Sequence, residues 1–447
     1  MSIRFYTLLF LAVLSYTTIY SQNFNRAKLD SLFDILAKKD KAMGSLTLSK
    51  NGKVIYSRAI GYSLISDKEK KASTVFTKYR IGSISKMFTA TMIFQLIDEG
   101  KLKLSTTLDQ YFPLLPNAKK ITIANLLNHH SGLHNFTDEP DYSEWMTQSK
   151  TQNEMLAIIA KHKVDFEPNE KAAYSNSNYI VLGYIIEKIT QQAYAKNLSE
   201  RITSKTGLSN TYYGAKTNPA NNESFSFQYI TSWLQRPETD MSIPGGAGAI
   251  VATPSDLCKF IEALFSFKLV SEKSLSQMKT ISDGMGMGMF QVPFYNKKAY
   301  GHNGGIDGFV SNLVYFPEDS LAMAYCSNGQ NYSMNNILLG VLSIYFNKDY
   351  SIPTFEASAI ALSLKTEELD PYLGVYSSTQ IPLKITVTKD KTTLFAQATG
   401  QSAFPLEATE KDKFKFEAAG IKMEFNPEKN EMTLKQGGVS YLFTKNK

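Results

Sequence analysis

The chain has 447 residues, of which 43% are hydrophobic and 20% charged, a composition that excludes the disordered and fibrous classes and predicts a folded protein of more than one domain. Its formal charge of +7 arises from Lys and Arg interspersed with Asp and Glu along the whole chain, the pattern of a solvated basic surface. No RNP-like, zinc-finger or basic-helix signature is present, so a nucleic-acid partner is not expected.

The opening MSIRFYTLLFLAVLSYTTIYSQ sets Arg4 before an apolar run from Phe5 to Leu14 and then small and polar residues up to Ser21. This is the pattern of a cleavable secretory signal. The run falls short of the roughly 20 residues that span a bilayer. The expectation is therefore a signal peptide over residues 1–21, a periplasmic or secreted mature chain, and no membrane span after cleavage. The two cysteines are Cys258, in a helical pattern, and Cys326, at the end of an apolar strand-like run, which predicts buried free thiols.

Next, NRAKLDSLFDILAKK carries apolar residues at helical spacing, and SLTLSKNGKVIYSRAIGYS reads as two strands around an Asn51-Gly52 turn. The segment TKYRIGSISKMFTATMIFQLIDEGK predicts a short strand entering a long apolar helix that stops at Gly100. Residues 102–229 show helical patterns broken by turn clusters, which predicts an all-helical insert. A helix over SDLCKFIEALFSF follows a glycine-rich stretch. Strand-like runs come after it (MGMGMFQVP, FVSNLVYFP, SLAMAYCS), then a final helix over MNNILLGVLSIYFN. The catalytic-sized unit thus covers 23–350, with a linker at 351–368. From 369 to 447, short alternating runs divided by Gly, Asn, Asp and Lys predict a small antiparallel barrel.

Acyl transfer at neutral pH needs a hydroxyl made nucleophilic by a nearby base, and a base one helical turn away is placed to take its proton. Ser83-Ile84-Ser85-Lys86 has that spacing at a helix start, where backbone N–H groups favour a developing oxyanion. Ser276-Gln277-Met278-Lys279 has the same spacing but reads as an ordinary amphipathic helix. RIGSISKMFTA followed by an apolar helix resembles the nucleophile segment of the serine β-lactamase and penicillin-binding superfamily, most closely its class C β-lactamase and D-Ala-D-Ala carboxypeptidase branch.

The resemblance implies Ser83 as nucleophile and Lys86 as proton acceptor. Tyr174-Ser175-Asn176 matches the Tyr-x-Asn motif of that branch, which implies Tyr174 as proton shuttle and Asn176 as orienter of substrate and Lys86. Pro168-Asn169 stands where the family has Pro-Gly, and asparagine tolerates positive φ. Lys205-Thr206-Gly207 spells the family's third motif but lies in a loop after the insert's helix. His302-Asn303-Gly304-Gly305, ahead of a strand, resembles the His-x-Gly variant of non-lactamase members. It implies His302 as a catalytic partner, Gly304 and Gly305 at the substrate, and an oxyanion hole from the N–H groups of Ser83 and Gly305. LLNHHSGL and GGAGAIVATPSDLCKF also resemble family segments of structural character.

His129, His130 and His134 lack an acidic ligand pattern, and His162 reads as a surface residue. No metal or organic cofactor is expected. The C-terminal strands resemble the lipocalin-like domain behind many hydrolases of this group, which implies either a stabilising or homo-oligomerising appendage or a domain that reaches across the cleft to restrict substrates.

The implied fold is α/β and transpeptidase-like: an antiparallel sheet flanked by helices, a helical insert, and a separate C-terminal barrel. The implied substrate is a small molecule or peptide. Histidine, mostly neutral at pH 7, lacks the fixed charge of the family's lysine. This favours a D-stereospecific peptidase or carboxypeptidase, or a related esterase, over a class C-like β-lactamase. A penicillin- or muropeptide-binding protein without turnover is the alternative of a different class.

Overall fold

The computed structural model describes residues 24–355, 364–381, 383–398, 403–416, 421–436 and 439–446. The expected signal peptide and part of the expected linker lie outside the described residues.

Helix α1 (Arg26–Lys38) starts where the side chain of Asn25 accepts the N–H of Lys28, an N-cap that satisfies an otherwise orphaned donor. The hairpin β1 (Ala42–Lys50) and β2 (Lys53–Ile60) turns at Asn51 (φ 52) and Gly52 (φ 76), the pair of positive φ values that a two-residue turn needs. Strands β3 (Phe290–Phe294), β4 (Lys297–Ile306), β5 (Phe309–Phe316) and β6 (Leu321–Gln330) complete a six-stranded sheet of order β3-β4-β5-β6-β1-β2. All pairings are antiparallel.

Alternation along β6 explains why its sequence is apolar from Leu321 to Cys326. Ala322, Ala324 and Cys326 face one core with α4 (Pro254–Phe265), while Leu321, Met323 and Tyr325 face a second core with α1 and α5 (Met334–Tyr345). A strand covered on both faces has no polar side to show. Cys258 and Cys326 are both buried and unpaired.

Helix α2 (Ser85–Asp98) is buried from Ser85 to Leu96 and ends before Gly100 at φ 71. Its Phe88 ring stacks on Phe260 of α4 with centroids 3.7 Å apart. Ahead of it, Tyr79–Arg80 pairs with Ile250–Ala252, which pairs in turn with Tyr212–Tyr213. The insert is helical as far as Thr206, its longest helix being α3 (Asn176–Thr190). Its last part departs from the all-helical expectation: Tyr212–Tyr213 and Phe227–Tyr229 are strands, too short to leave an alternation signal.

At the C-terminal end, eight strands from Gly374–Ser377 to Val439–Lys445 form a closed antiparallel barrel. Alternate residues such as Ile385 and Val387, Leu394 and Ala396, and Met432 and Leu434 fill it. Closure leaves no unpaired edge. Among the described residues, no helix is long and apolar enough to cross a membrane.

Candidate active site

Ser83 occupies a single turn, Gly82–Ile84, between strand Tyr79–Arg80 and α2. Gly82 is at φ +51, and a Cβ there would stand 2.7 Å from the amide nitrogen of Gly305. Only glycine allows the Ser83 turn and the end of β4 to approach so closely. Arg80 anchors both sides of this junction. Buried at 3% exposure, it pairs with Glu238 (2.6 Å) and Asp307 (3.1 Å) and donates to the carbonyls of Thr239 and Ala215.

One helical turn on, Lys86 is fully buried. Its Nζ lies 3.1 Å from Ser83 Oγ, 2.7 Å from Asn176 Oδ1 and 2.9 Å from the Ala247 carbonyl. Burial lowers the ammonium well below the usual lysine range, because a desolvated cation is disfavoured. A neutral amine can donate to Asn176 and Ala247 while its lone pair faces the Ser83 hydroxyl.

Tyr174 lies just before α3, its ring 4.9 Å from Lys86 Nζ and its hydroxyl hydrogen-bonded to Ser83. Burial raises its phenol above the ordinary value, against the pull of the Ser83 hydrogen bond. The tyrosine is therefore a neutral O–H at physiological pH.

His302, 4% exposed on β4, packs against Phe290 with centroids 4.6 Å apart and against Tyr174 at 6.1 Å. Burial first, then repulsion from Lys86 when it is protonated, lowers its imidazole to about 3, so it is a neutral wall behind Tyr174. Gly304 departs from its expected place at the substrate. It is buried, and a Cβ would meet the Ile81 carbonyl at 2.0 Å, so it is a packing glycine between β4 and the Ser83 turn. Gly305, by contrast, lines the cleft.

The cleft has a volume of about 330 Å³ and is walled by Ser83, Thr137, Asn176, Arg236, Gly305 and Asp307, among others, a size suited to a small ligand or a peptide end. Lys205 and Thr206 border a different cavity with Lys259 and Glu262, away from Ser83. Ser276 and Lys279 lie at the end of helix Glu272–Met278, where Ser276 is exposed.

The sequence reading missed three supports. His129, at φ 60, stacks on Tyr174 at 4.4 Å and accepts the N–H of Ser175, and burial holds its imidazole well below the usual range. Asn135 accepts the backbone N–H of Asn176 at 2.9 Å, and Thr137 accepts its side-chain amide at 3.1 Å. Adjacency to the LLNHHSGL segment is the one signal that pointed at these residues.

The sequence profile of the Beta-lactamase family matches residues 32–339. Penicillin-binding protein 4* of Bacillus subtilis (strain 168) is 25% identical over 432 residues, spanning 90% of this chain and 93% of its own. The teichoic acid D-alanine hydrolase of Staphylococcus aureus is 28% identical over 297 residues, 64% of this chain and 71% of its own. Among solved structures, the D-amino acid amidase of Ochrobactrum anthropi SV3 complexed with L-phenylalanine amide superposes with a TM-score of 0.64 at 28% identity, covering 72% of this chain and 98% of that one. The chain belongs to the β-lactamase family of serine hydrolases.

Proposed function

We propose that the protein is a D-stereospecific peptidase or carboxypeptidase that cleaves peptidoglycan-like or D-amino-acid peptides, or a related esterase, and that it acts through an acyl-enzyme on Ser83. The observation that carries this reading is the buried amine of Lys86 between Ser83 and Asn176. Lys86 takes the Ser83 proton as Oγ attacks the substrate carbonyl, and the N–H groups of Ser83 and Gly305 hold the resulting oxyanion. The proton then passes by way of the Tyr174 hydroxyl to the leaving amine as its bond to the carbonyl carbon breaks. Water attacks the acyl-enzyme, gives its proton back along the same route, and frees Ser83.

The names of the relatives support D-amino-acid acyl groups: one is a D-alanine hydrolase and another a D-amino acid amidase. The neutral His302 supports substrates whose recognition does not rest on a fixed cation at that position, and Arg236 in the cleft wall supplies a cation elsewhere. The N-terminal signal pattern supports action outside the cytoplasm.

The test is to incubate the mature protein with D- and L-amino-acid peptides and amides, nitrophenyl esters, a chromogenic cephalosporin and a fluorescent penicillin, and to map adducts by mass spectrometry. A Ser83 adduct with turnover of D-amino-acid substrates is expected. Turnover of the cephalosporin alone would make it a β-lactamase, and acylation without turnover would make it a receptor.

A further inference from the structure

Beside the cleft, the structure brings together three residues that the sequence keeps apart. His134 and Glu139 lie on the loop containing the turn Phe136–Asp138, and His162 lies just past helix Gln152–Ala160. His134 Nε2 is 3.1 Å and His162 Nε2 2.9 Å from the same carboxylate oxygen, Glu139 Oε1. All three atoms lie within 4.8 Å of one another.

The His134 ring spans two carboxylates, its Nδ1 2.9 Å from Asp165 Oδ1 and its Nε2 3.1 Å from Glu139 Oε1. His162 Nε2 is buried and, for all its nearness to Glu139, makes no hydrogen bond of acceptable geometry. The two rings stack with centroids 4.6 Å apart. Two imidazole nitrogens and a carboxylate oxygen within 4.8 Å of one another form a donor set that one dication can bind. Tetrahedral zinc at 2.0–2.1 Å from each ligand sets its ligand atoms about 3.3 Å apart, close to the 3.1 and 2.9 Å between each histidine nitrogen and Glu139 Oε1.

The surroundings fit the same reading. Asp165 on the far nitrogen of His134 is the carboxylate–histidine pattern that orients metal ligands. Lys161 Nζ stands 3.5 Å from Glu139 Oε2, which leaves Oε1 free to ligate.

We propose that His134, Glu139 and His162 form a binding site for a borderline transition-metal dication, zinc by preference, that fastens the cleft loop. This revises the expectation that no metal is involved and the reading of His162 as a plain surface residue. The signal escaped sequence inspection because the acidic ligand and the second histidine follow His134 at spacings of no known motif. The site is structural with respect to the cleft. The His134 carbonyl accepts the Ser177 hydroxyl at 2.6 Å, and the next residue, Asn135, holds Asn176. Fixing the loop therefore fixes the acceptor of Lys86.

The experiment is equilibrium dialysis of the whole mature protein against zinc, read by elemental analysis, with cobalt substitution read by visible absorption. The expected result is about one zinc per chain and an intense tetrahedral cobalt spectrum. His162→Asn and Glu139→Gln should each lose both signals, and Asp165→Asn should weaken zinc affinity roughly 10–100-fold. Zinc should raise the thermal midpoint of the parent but not of the two ligand variants. Circular dichroism in the absence of metal shows which variants are folded, and either ligand variant alone suffices. A parent chain that takes up no stoichiometric zinc overturns the proposal, as does a folded ligand variant that retains it. Because the readout is metal content, the outcome is independent of which substrate the enzyme cleaves.

Discussion

The Nζ of Lys86 stands 3.1 Å from the Oγ of Ser83 while having no exposed surface of its own. Burial so complete is costly for a cation and lowers the ammonium well below the usual lysine range, which in the proposed mechanism suits the amine to take the Ser83 proton. Lys86→Met, which keeps the volume and removes the base, should lower acylation of Ser83 by about 10²–10⁴-fold. The same change should leave the thermal midpoint equal or higher, since an apolar side chain of similar size suits the site. The check is nitrophenyl-ester hydrolysis together with a melting curve. Activity within about tenfold of the parent would remove Lys86 from the role of base.

Tyr174 separates proton transfer from packing. Its ring stacks on His129 and lies beneath Lys86, and Tyr174→Phe preserves both contacts while deleting the hydroxyl that bonds Ser83. Stability should change by about 1 kcal/mol or less, the worth of one hydrogen bond. The turnover number should fall by roughly 10²-fold or more with KM little changed. A variant that raises KM and keeps its turnover number would show that the hydroxyl binds substrate and does not relay protons.

Legibility in the sequence followed the range of the interaction. Asn51-Gly52, Gly100 and the Ser83–Lys86 spacing are local features, and each stands where local rules put it. The alternation of the C-terminal runs likewise becomes a closed barrel. Arg80 was illegible as an anchor because its partners Glu238 and Asp307 are more than a hundred residues distant. Ala247 was illegible as a lysine acceptor because a backbone carbonyl leaves no mark in composition. Gly304 and Gly305 look equivalent in sequence, and only the pleat of β4 sends one toward Ile81 and the other toward the cleft.

His302 makes acid stability a test of burial. Its imidazole titrates near 6.5 when unfolded but at about 3 in the fold. Between those values the unfolded chain binds more protons, so its contribution is complete above pH 6.5 and is lost as pH falls toward 3, at up to about 1.4 kcal/mol per pH unit. His302→Phe keeps a ring against Phe290 and Tyr174 and should flatten the fall in stability between pH 6.5 and pH 5. His129, buried with its imidazole also lowered, retains its own share of the slope. Urea unfolding at a series of pH values checks this, and an unchanged slope would mean that His302 is not desolvated.

Gly304 and Gly305 provide the sharpest contrast between fold and site. A methyl group at 304 would collide with the Ile81 carbonyl at 2.0 Å and the Ser311 hydroxyl at 2.4 Å, whereas at 305 nothing but the Phe309 carbonyl comes within 4.0 Å. Gly304→Ala should therefore cost about 2–3 kcal/mol, because backbone in a packed sheet has little room to yield. Gly305→Ala should stay within about 0.5 kcal/mol of the parent in stability. Its methyl group stands in the cleft beside Ser83, so the second variant should lose catalytic efficiency without losing fold. Paired urea curves and kcat/KM values on one ester decide the matter. Equal destabilisation of both would move Gly305 out of the cleft wall and into the packing of β4, and with it the oxyanion hole assigned to its N–H.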